Sequence, residues 1–252
     1  MRLVTSFAAA AVLTTAAMAQ HAAHRAPSAI TAALADPGRP AADRERDANR
    51  HAADILAFAE VKPGAKVADF IMGGGYWTRA MAPLVGPKGH VYAYQPAEFI
   101  RFRAAYGTEQ EAAVAGRANV TANRQSLADF GFGEPLDAIV TVQNWHDLHL
   151  KMAPPEAGGQ IARRLFGMLK PGGVLVVVDH VGNPGATPFA VADTLHRGDA
   201  AATRREIEAA GFRFDGELPV LHNGTDPHTA LVFDPAIRGK TDQFVYRFRK
   251  PR

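Results

Sequence analysis

Two groups of residues in this 252-residue chain are of types and spacings that could do chemistry. The first is Asp69-Phe70-Ile71-Met72-Gly73-Gly74-Gly75-Tyr76-Trp77, in which an acid ends an apolar run and a glycine cluster leads into a helix-like segment. Glycines let the backbone close on a ligand, and the first turn of the helix that follows offers free N–H groups. The second is Asn144-Trp145-His146-Asp147, with His149 just beyond, together with Asp179-His180. Each of these follows an apolar, strand-like run. A neutral imidazole exchanges protons near pH 7, so His146 is the first candidate for a general base. Asp147 or Asp179 could orient it, and His180 is a further proton-transfer group. A plainer reading fits equally: Asp147 caps a helix and the histidines satisfy backbone carbonyls. These residues and His196 are legitimate N/O metal ligands, but they form no compact ligand motif, so no metal is assigned.

The positioning elements follow from periodicity and punctuation. Short apolar runs at 67–71, 90–94, 119–122, 138–142 and 174–178 read as strands. The last is unbroken Val and Leu, as in a strand covered on both faces. Helical segments are expected over 40–59, 76–85, 98–115, 156–169 and 200–210, the last capped by Asp199 and stopped by Gly211. Four β-like runs close the chain, at 212–214, 217–221, 229–233 and 244–249. Phe244, Tyr246 and Phe248 alternate with polar neighbours in the last of them. Alternating strands and helices followed by clustered strands predict an α/β fold: a Rossmann-like, doubly wound, mainly parallel seven-stranded sheet with an antiparallel C-terminal end. Ligands of such sheets sit beyond the carboxyl ends of the strands, where both groups of residues fall.

Composition narrows the function classes. With 47% hydrophobic residues, the chain can bury one large core. The formal charge of +3 is built from mixed signs, as in Asp43-Arg44-Glu45-Arg46-Asp47, which reads as a solvated helix face and not as a nucleic-acid stripe. There is no cysteine, which excludes disulfides, thiolate catalysis and Cys-ligated zinc. Residues 1–19 read as a secretory signal: Arg2, a small apolar stretch, and Ala17-Met18-Ala19 as the cleavage site. Residues 20–39, broken by Pro27 and Pro37, read as a flexible lead with one short helix at 28–35, and 40–252 as a single domain. The expected location is the periplasm. No further stretch is long and apolar enough for a membrane-spanning helix.

The glycine loop resembles motif I of class I S-adenosylmethionine (SAM) methyltransferases, with Asp69, Gly73 and Gly75 on its pattern and Ile71 in place of its first glycine. Further segments resemble one subgroup, the predicted exported methyltransferases of bacteria. They are Asn144-Trp145-His146-Asp147, Leu169-Lys170-Pro171-Gly172-Gly173, Asp179-His180, Leu195-His196-Arg197, Glu208-Ala209-Ala210-Gly211-Phe212 and Arg238-Gly239-Lys240-Thr241-Asp242-Gln243-Phe244. The resemblance runs from about Pro40 to the C-terminus. It implies SAM as cofactor, its amino-acid part over the loop at Asp69, Ile71, Gly73, Gly75 and Tyr76, with Asn144 nearby. Gln95 stands where an acid would bind the ribose hydroxyls, and Ser126 near where an acid would face adenine. The resemblance implies methyl transfer to a small-molecule acceptor, with O-methylation favoured and His146, Asp147 and His180 catalytic. The departures at Ile71 and Gln95 leave open a non-catalytic protein that binds another small ligand in the cell envelope. An NAD site would need a glycine where Thr78 stands, and Asn144 is not followed by the Pro-Pro-Tyr of base-methylating enzymes.

Overall fold

A computed structural model describes residues 27–151, 153–154, 156–185, 187 and 189–252. The signal segment expected at 1–19 lies outside the described residues. Among them, no helix is long and apolar enough to cross a membrane.

Seven strands form one sheet: β1 Lys66–Phe70, β2 His90–Tyr94, β3 Val120–Asn123, β4 Leu136–Val142, β5 Leu169–His180, β6 Arg213–Glu217 and β7 Gln243–Arg249. Their order is β3-β2-β1-β4-β5-β7-β6. The pairs among β1 to β5 are parallel, and β7 runs antiparallel to both β5 and β6. This is the expected Rossmann-like sheet with an antiparallel end. The chain reverses direction of travel across the sheet between β1 and β4. That switch point lies where the carboxyl ends of β1, β4 and β5 open onto one crevice.

Alternation along the central strands divides the core into two layers. Val67, Val140, Val174, Val176 and Val178 face α1 (Ser28–Leu34), α3 (Ala52–Phe58) and α4 (Tyr76–Val85). Ala68, Phe70, Ile139, Leu175 and Val177 face α7 (Ala157–Met168) and α9 (Ala200–Ala209). Asp199 caps α9 as expected, its side chain accepting from the Ala202 N–H at 2.9 Å.

The short helix expected at 28–35 forms as α1, over 28–34, with Ile30 and Ala33 buried against α4. Several other expectations are corrected. The helix expected over 40–59 is broken into α2 (Ala41–Arg44) and α3, with His51 in the left-handed region at φ 47°. The mixed charges here are only partly a solvated face: Arg44, Glu45 and Arg46 are exposed. Arg39 and Asp43 are buried, Arg39 is bidentate to Asp47 at 2.7 Å, and Asp43 holds Arg79 at 2.6 Å. Paired charges bend the chain here because both partners satisfy each other inside the protein. The helix expected over 98–115 is two, α5 (Ala97–Phe102) and α6 (Ala105–Val114). The strands expected at 217–221 and 229–233 do not form. Pro219, which has no N–H for a ladder, opens a 3-10 turn, and the second segment folds over the crevice with the Val232 N–H on the Leu195 carbonyl.

Candidate functional site

The glycine loop is built by its own backbone strain and by three neighbouring side chains. Gly75 caps α4 at φ 78°, where a Cβ would lie 2.5 Å from that of Ala113. Gly73, at φ 53°, faces open space. Ile71 also lies in the left-handed region, at φ 58°, a costly conformation for a β-branched residue. Asn144 holds it there, its amide donating to the Ile71 carbonyl at 2.8 Å. The Ile71 side chain belongs to the buried apolar cluster that includes Phe70, Tyr94 and Trp145. Asp69 sits under the loop, not in it. Its carboxylate accepts from the Thr78 hydroxyl at 2.6 Å, and burial pushes its pKa up to about 6 against the two bonds from Thr78.

Above the loop lies a cavity of about 450 Å³, lined by Ile71, Gly73, Tyr76, Gln95 and Asn144 together with Trp77, Arg50 and Arg238. Ile71 forms part of its wall and does not fill it. Gln95 is wholly buried, and its carbonyl oxygen accepts from the Gly73 N–H at 2.9 Å. Because Gly73 can only donate, that bond fixes which end of the amide is the oxygen. The amide nitrogen is left as a buried donor without a partner, as is the Trp77 indole N–H. Buried polar atoms are nearly always paired, and two of the five unpartnered ones among the described residues belong to residues lining this cavity.

Charge reaches this cavity from the N-terminal segment. Arg50 is over the Tyr76 ring at 4.7 Å, and Arg46 over the same ring at 5.2 Å. The Tyr76 hydroxyl donates to Asp47 at 2.5 Å, while Arg79 bridges Asp43 to the Gly74 carbonyl at 2.8 Å. The segment thus clamps the first turn of α4 and delivers guanidinium groups to the loop.

On the β3 side the structure supplies a carboxylate that the strand itself lacks. Ser126 does not line the cavity. Its hydroxyl donates to Glu98 of α5, which also accepts from the Leu127 N–H at 3.1 Å. Glu98, Phe99, Leu127 and Leu148 border an apolar slot of about 220 Å³, which shares Phe99 and Asp147 with the lining of the larger cavity.

The histidine group gathers on the other side. Asp147 and His146 lie in a 3-10 turn, His146–His149, directly after β4, and Asp179 and His180 end β5. His146 is buried. Its Nδ1 is 2.8 Å from Asp179, and its Nε2 is 3.2 Å from both Asp147 and His196. Burial alone would lower its pKa, but Asp179 and Asp147 outweigh burial and raise it to about 10. His146 is therefore an imidazolium at neutral pH, not the neutral base the sequence suggests. Asp147 is held near 2, because its bonds to His146 and His196 outweigh burial. His180 is the opposite case. Burial, with the charges of His146 and Arg197, lowers it to about 4 despite Asp179. Its Nδ1 is 2.8 Å from the Thr241 hydroxyl, leaving Nε2 without an assigned partner. His180 is the neutral imidazole of the group. A cavity of about 440 Å³ brings His146, Asp147, His180 and His196 together under Phe102 and Phe233.

Of the residues expected at the site, Ile71, Gly73, Tyr76, Gln95 and Asn144 line the cofactor-sized cavity. His146, Asp147 and His180 line the adjoining one, while Asp69, Gly75 and Ser126 support the walls from behind. Arg238, which opens one of the resembling segments, also lines the cavity above the loop, while Arg50, Phe99 and Phe233 line these cavities and were not found from sequence. They lie on segments with no strand of their own, and nothing in local spacing marks them.

No family model matches the chain, and no curated protein matches its sequence. Solved structures do match its fold. A SAM-dependent methyltransferase from Aquifex aeolicus superposes with a TM-score of 0.55 and 20% identity over 88% of this chain and 97% of its own. A possible exported protein from Bordetella parapertussis gives 0.50 and 21% over 83% and 68%. The [4+2]-cyclase SpnF gives 0.54 and 18%, covering 81% of each chain. The chain has the class I methyltransferase fold.

Proposed function

We propose that this protein is a SAM-dependent methyltransferase of a small-molecule acceptor. The observation that carries the reading is Gln95, which lines the cavity above the glycine loop, is locked to the Gly73 N–H, and keeps a buried amide nitrogen without a partner. A cavity of about 450 Å³ falls within the range of small-ligand sites, ~300–1,000 Å³. The donor set fits SAM. Gln95 would meet a ribose oxygen, Arg50 the methionine carboxylate, and Glu98 the exocyclic amine of adenine in the apolar slot. Bound there, the cofactor would supply an activated methyl group on a sulfonium.

The remaining work falls to this chain's residues. Phe102 and Phe233 flank the acceptor cavity and suit an apolar or aromatic molecule. His180, neutral at pH 7, takes the acceptor's proton, which favours a hydroxyl as the methylated group. The imidazolium of His146 and the carboxylate of Asp147 set the field around it. Export to the periplasm is part of the proposal. Its support is the reading of residues 1–19, and N-terminal sequencing of protein recovered from the envelope fraction tests it.

The fold alone does not fix the chemistry, since a cyclase shares it. Turnover decides. SAM is incubated with the protein and a panel of phenols, carboxylic acids and amines, and S-adenosylhomocysteine and methylated products are quantified by mass spectrometry. The reading predicts acceptor-dependent S-adenosylhomocysteine whose formation His180→Gln slows by about 10²–10⁴. Release no faster than in buffer, with every acceptor class, contradicts it.

A further inference from the structure

We propose that His146, Asp147 and His196 form a binding site for a first-row divalent cation of the zinc class. The ligand atoms come from two separated segments. They are His146 Nε2 and Asp147 Oδ1 in the turn after β4, and His196 Nδ1 at the end of α8 (Ala192–Leu195). Their separations are 3.2, 3.2 and 3.6 Å. Zinc–nitrogen and zinc–oxygen bonds of roughly 2.0–2.1 Å place the corners of a tetrahedron ~3.3–3.4 Å apart. The observed triangle has that size. A cation about 2.05 Å from all three atoms would stand ~0.7 Å out of their plane, the offset a tetrahedral site requires.

The surroundings of His146 agree. Its Nδ1 and its backbone N–H both meet the Asp179 carboxylate, at 2.8 and 2.7 Å. A carboxylate on one imidazole nitrogen is the arrangement that orients metal-ligating histidines, because it fixes the tautomer and turns the other lone pair to the metal. His196 is held in the left-handed region at φ 51°, an uncommon conformation for a residue other than glycine. The neighbouring Arg197 anchors the segment through a buried bidentate pair with Asp226, at 2.9 and 3.1 Å. The backbone cost at His196 is thus borne where its ring must meet two groups from another segment.

Two imidazoles with one carboxylate suit zinc, iron, cobalt or nickel better than magnesium. The remaining coordination position can open toward the cavity that also holds His180, where a substrate oxygen could bind. The proposal goes beyond methyl transfer and does not rest on it, since binding is read without cofactor or turnover.

The test is calorimetric titration of the chelator-treated full chain with zinc chloride, followed by visible absorption with cobalt chloride. One zinc per chain is expected, with dissociation in the micromolar range or tighter, and d–d bands of a four- or five-coordinate cobalt. His196→Ala and Asp147→Asn should each weaken zinc by more than roughly 100-fold, and the positioning variant Asp179→Asn by roughly 10- to 100-fold. His222→Ala, at the separate His222–Asp242 pair, should leave zinc binding unchanged. Far-ultraviolet dichroism and melting of each metal-free variant establish that it is folded. Zinc binding weaker than about 100 µM in the parent overturns the proposal. So does equal affinity in the folded His196→Ala and Asp147→Asn variants, or loss of zinc only on His222→Ala.

Discussion

His146 and Asp179 meet twice: the carboxylate faces Nδ1 of the ring at 2.8 Å and accepts the backbone N–H of the same residue at 2.7 Å. This double contact welds the end of β5 to the turn after β4 and settles the charge of the site.

It has a consequence for stability. The folded pKa of His146, about 10, is above the ordinary 6.5, so the folded state binds a proton more tightly than the unfolded one. That contribution is full below pH 6.5 and is lost as pH rises through 10. Urea unfolding in the presence of chelator should show stability falling across this window, by up to ~1.4 kcal/mol for each pH unit. The fall should be absent in His146→Gln.

His180 carries the opposite sign. With its pKa lowered to about 4, it is neutral through the physiological range. If it accepts the acceptor's proton, the acid limb of kcat/KM should fall near pH 4 and not near 6.5, with a plateau above. His180→Gln should lower kcat by about 10²–10⁴. An acid limb near 6.5 in the parent would assign the base elsewhere.

Asp69 is buried with its pKa raised from 3.8 to about 6, so ionising it opposes folding by roughly 3 kcal/mol above pH 6. The folded state holds the extra proton between those values, and stability decreases as pH rises through them. Asp69→Asn keeps an acceptor for Thr78 without the charge. It should be more stable than the parent at pH 8 and lose that advantage below pH 4, as measured by urea midpoints.

Ile71 sets strain against packing. Glycine would relieve the left-handed backbone, a gain of about 1–3 kcal/mol, but would empty a site among Phe70, Tyr94 and Trp145 at a cost of about 2–5 kcal/mol. Ile71→Gly should therefore be less stable by ~1–2 kcal/mol. Since the side chain walls the cavity without filling it, SAM affinity should change less than about threefold, roughly 0.6 kcal/mol. Binding tightened tenfold or more would show that the isoleucine obstructs the cofactor.

Much of this was readable from sequence. Period-two alternation and Gly-Pro punctuation placed β1 to β5, α4, α7 and α9 within a residue or two, apart from an earlier start of β4 and a longer β5. Gly73 and Gly75 marked the loop because both take positive φ there, and Asp69 marked the strand end beneath it. Other features depend on partners distant in sequence. The mixed charges around Asp43 read as surface, because local spacing cannot show Arg79 and Tyr76 waiting to pair with them. The 229–233 run has strand composition but no free sheet edge to join. His146 is charged because two carboxylates, one of them 33 residues away, converge on it. Glu98 places a carboxylate beside Ser126 from a helix, a juxtaposition across elements that no linear motif records.

The central claim is that the hollow above Gly73 holds SAM through Gln95. Isothermal titration of parent, Gln95→Leu and Gln95→Glu with SAM and S-adenosylhomocysteine tests it most directly. The account predicts one site per chain tighter than about 1 mM, weakened at least tenfold by leucine. Glutamate should strengthen it, because a charge-assisted bond to a ribose hydroxyl is roughly twice as strong as a neutral one. No heat with either ligand near millimolar concentration, or binding indifferent to both substitutions, would contradict it.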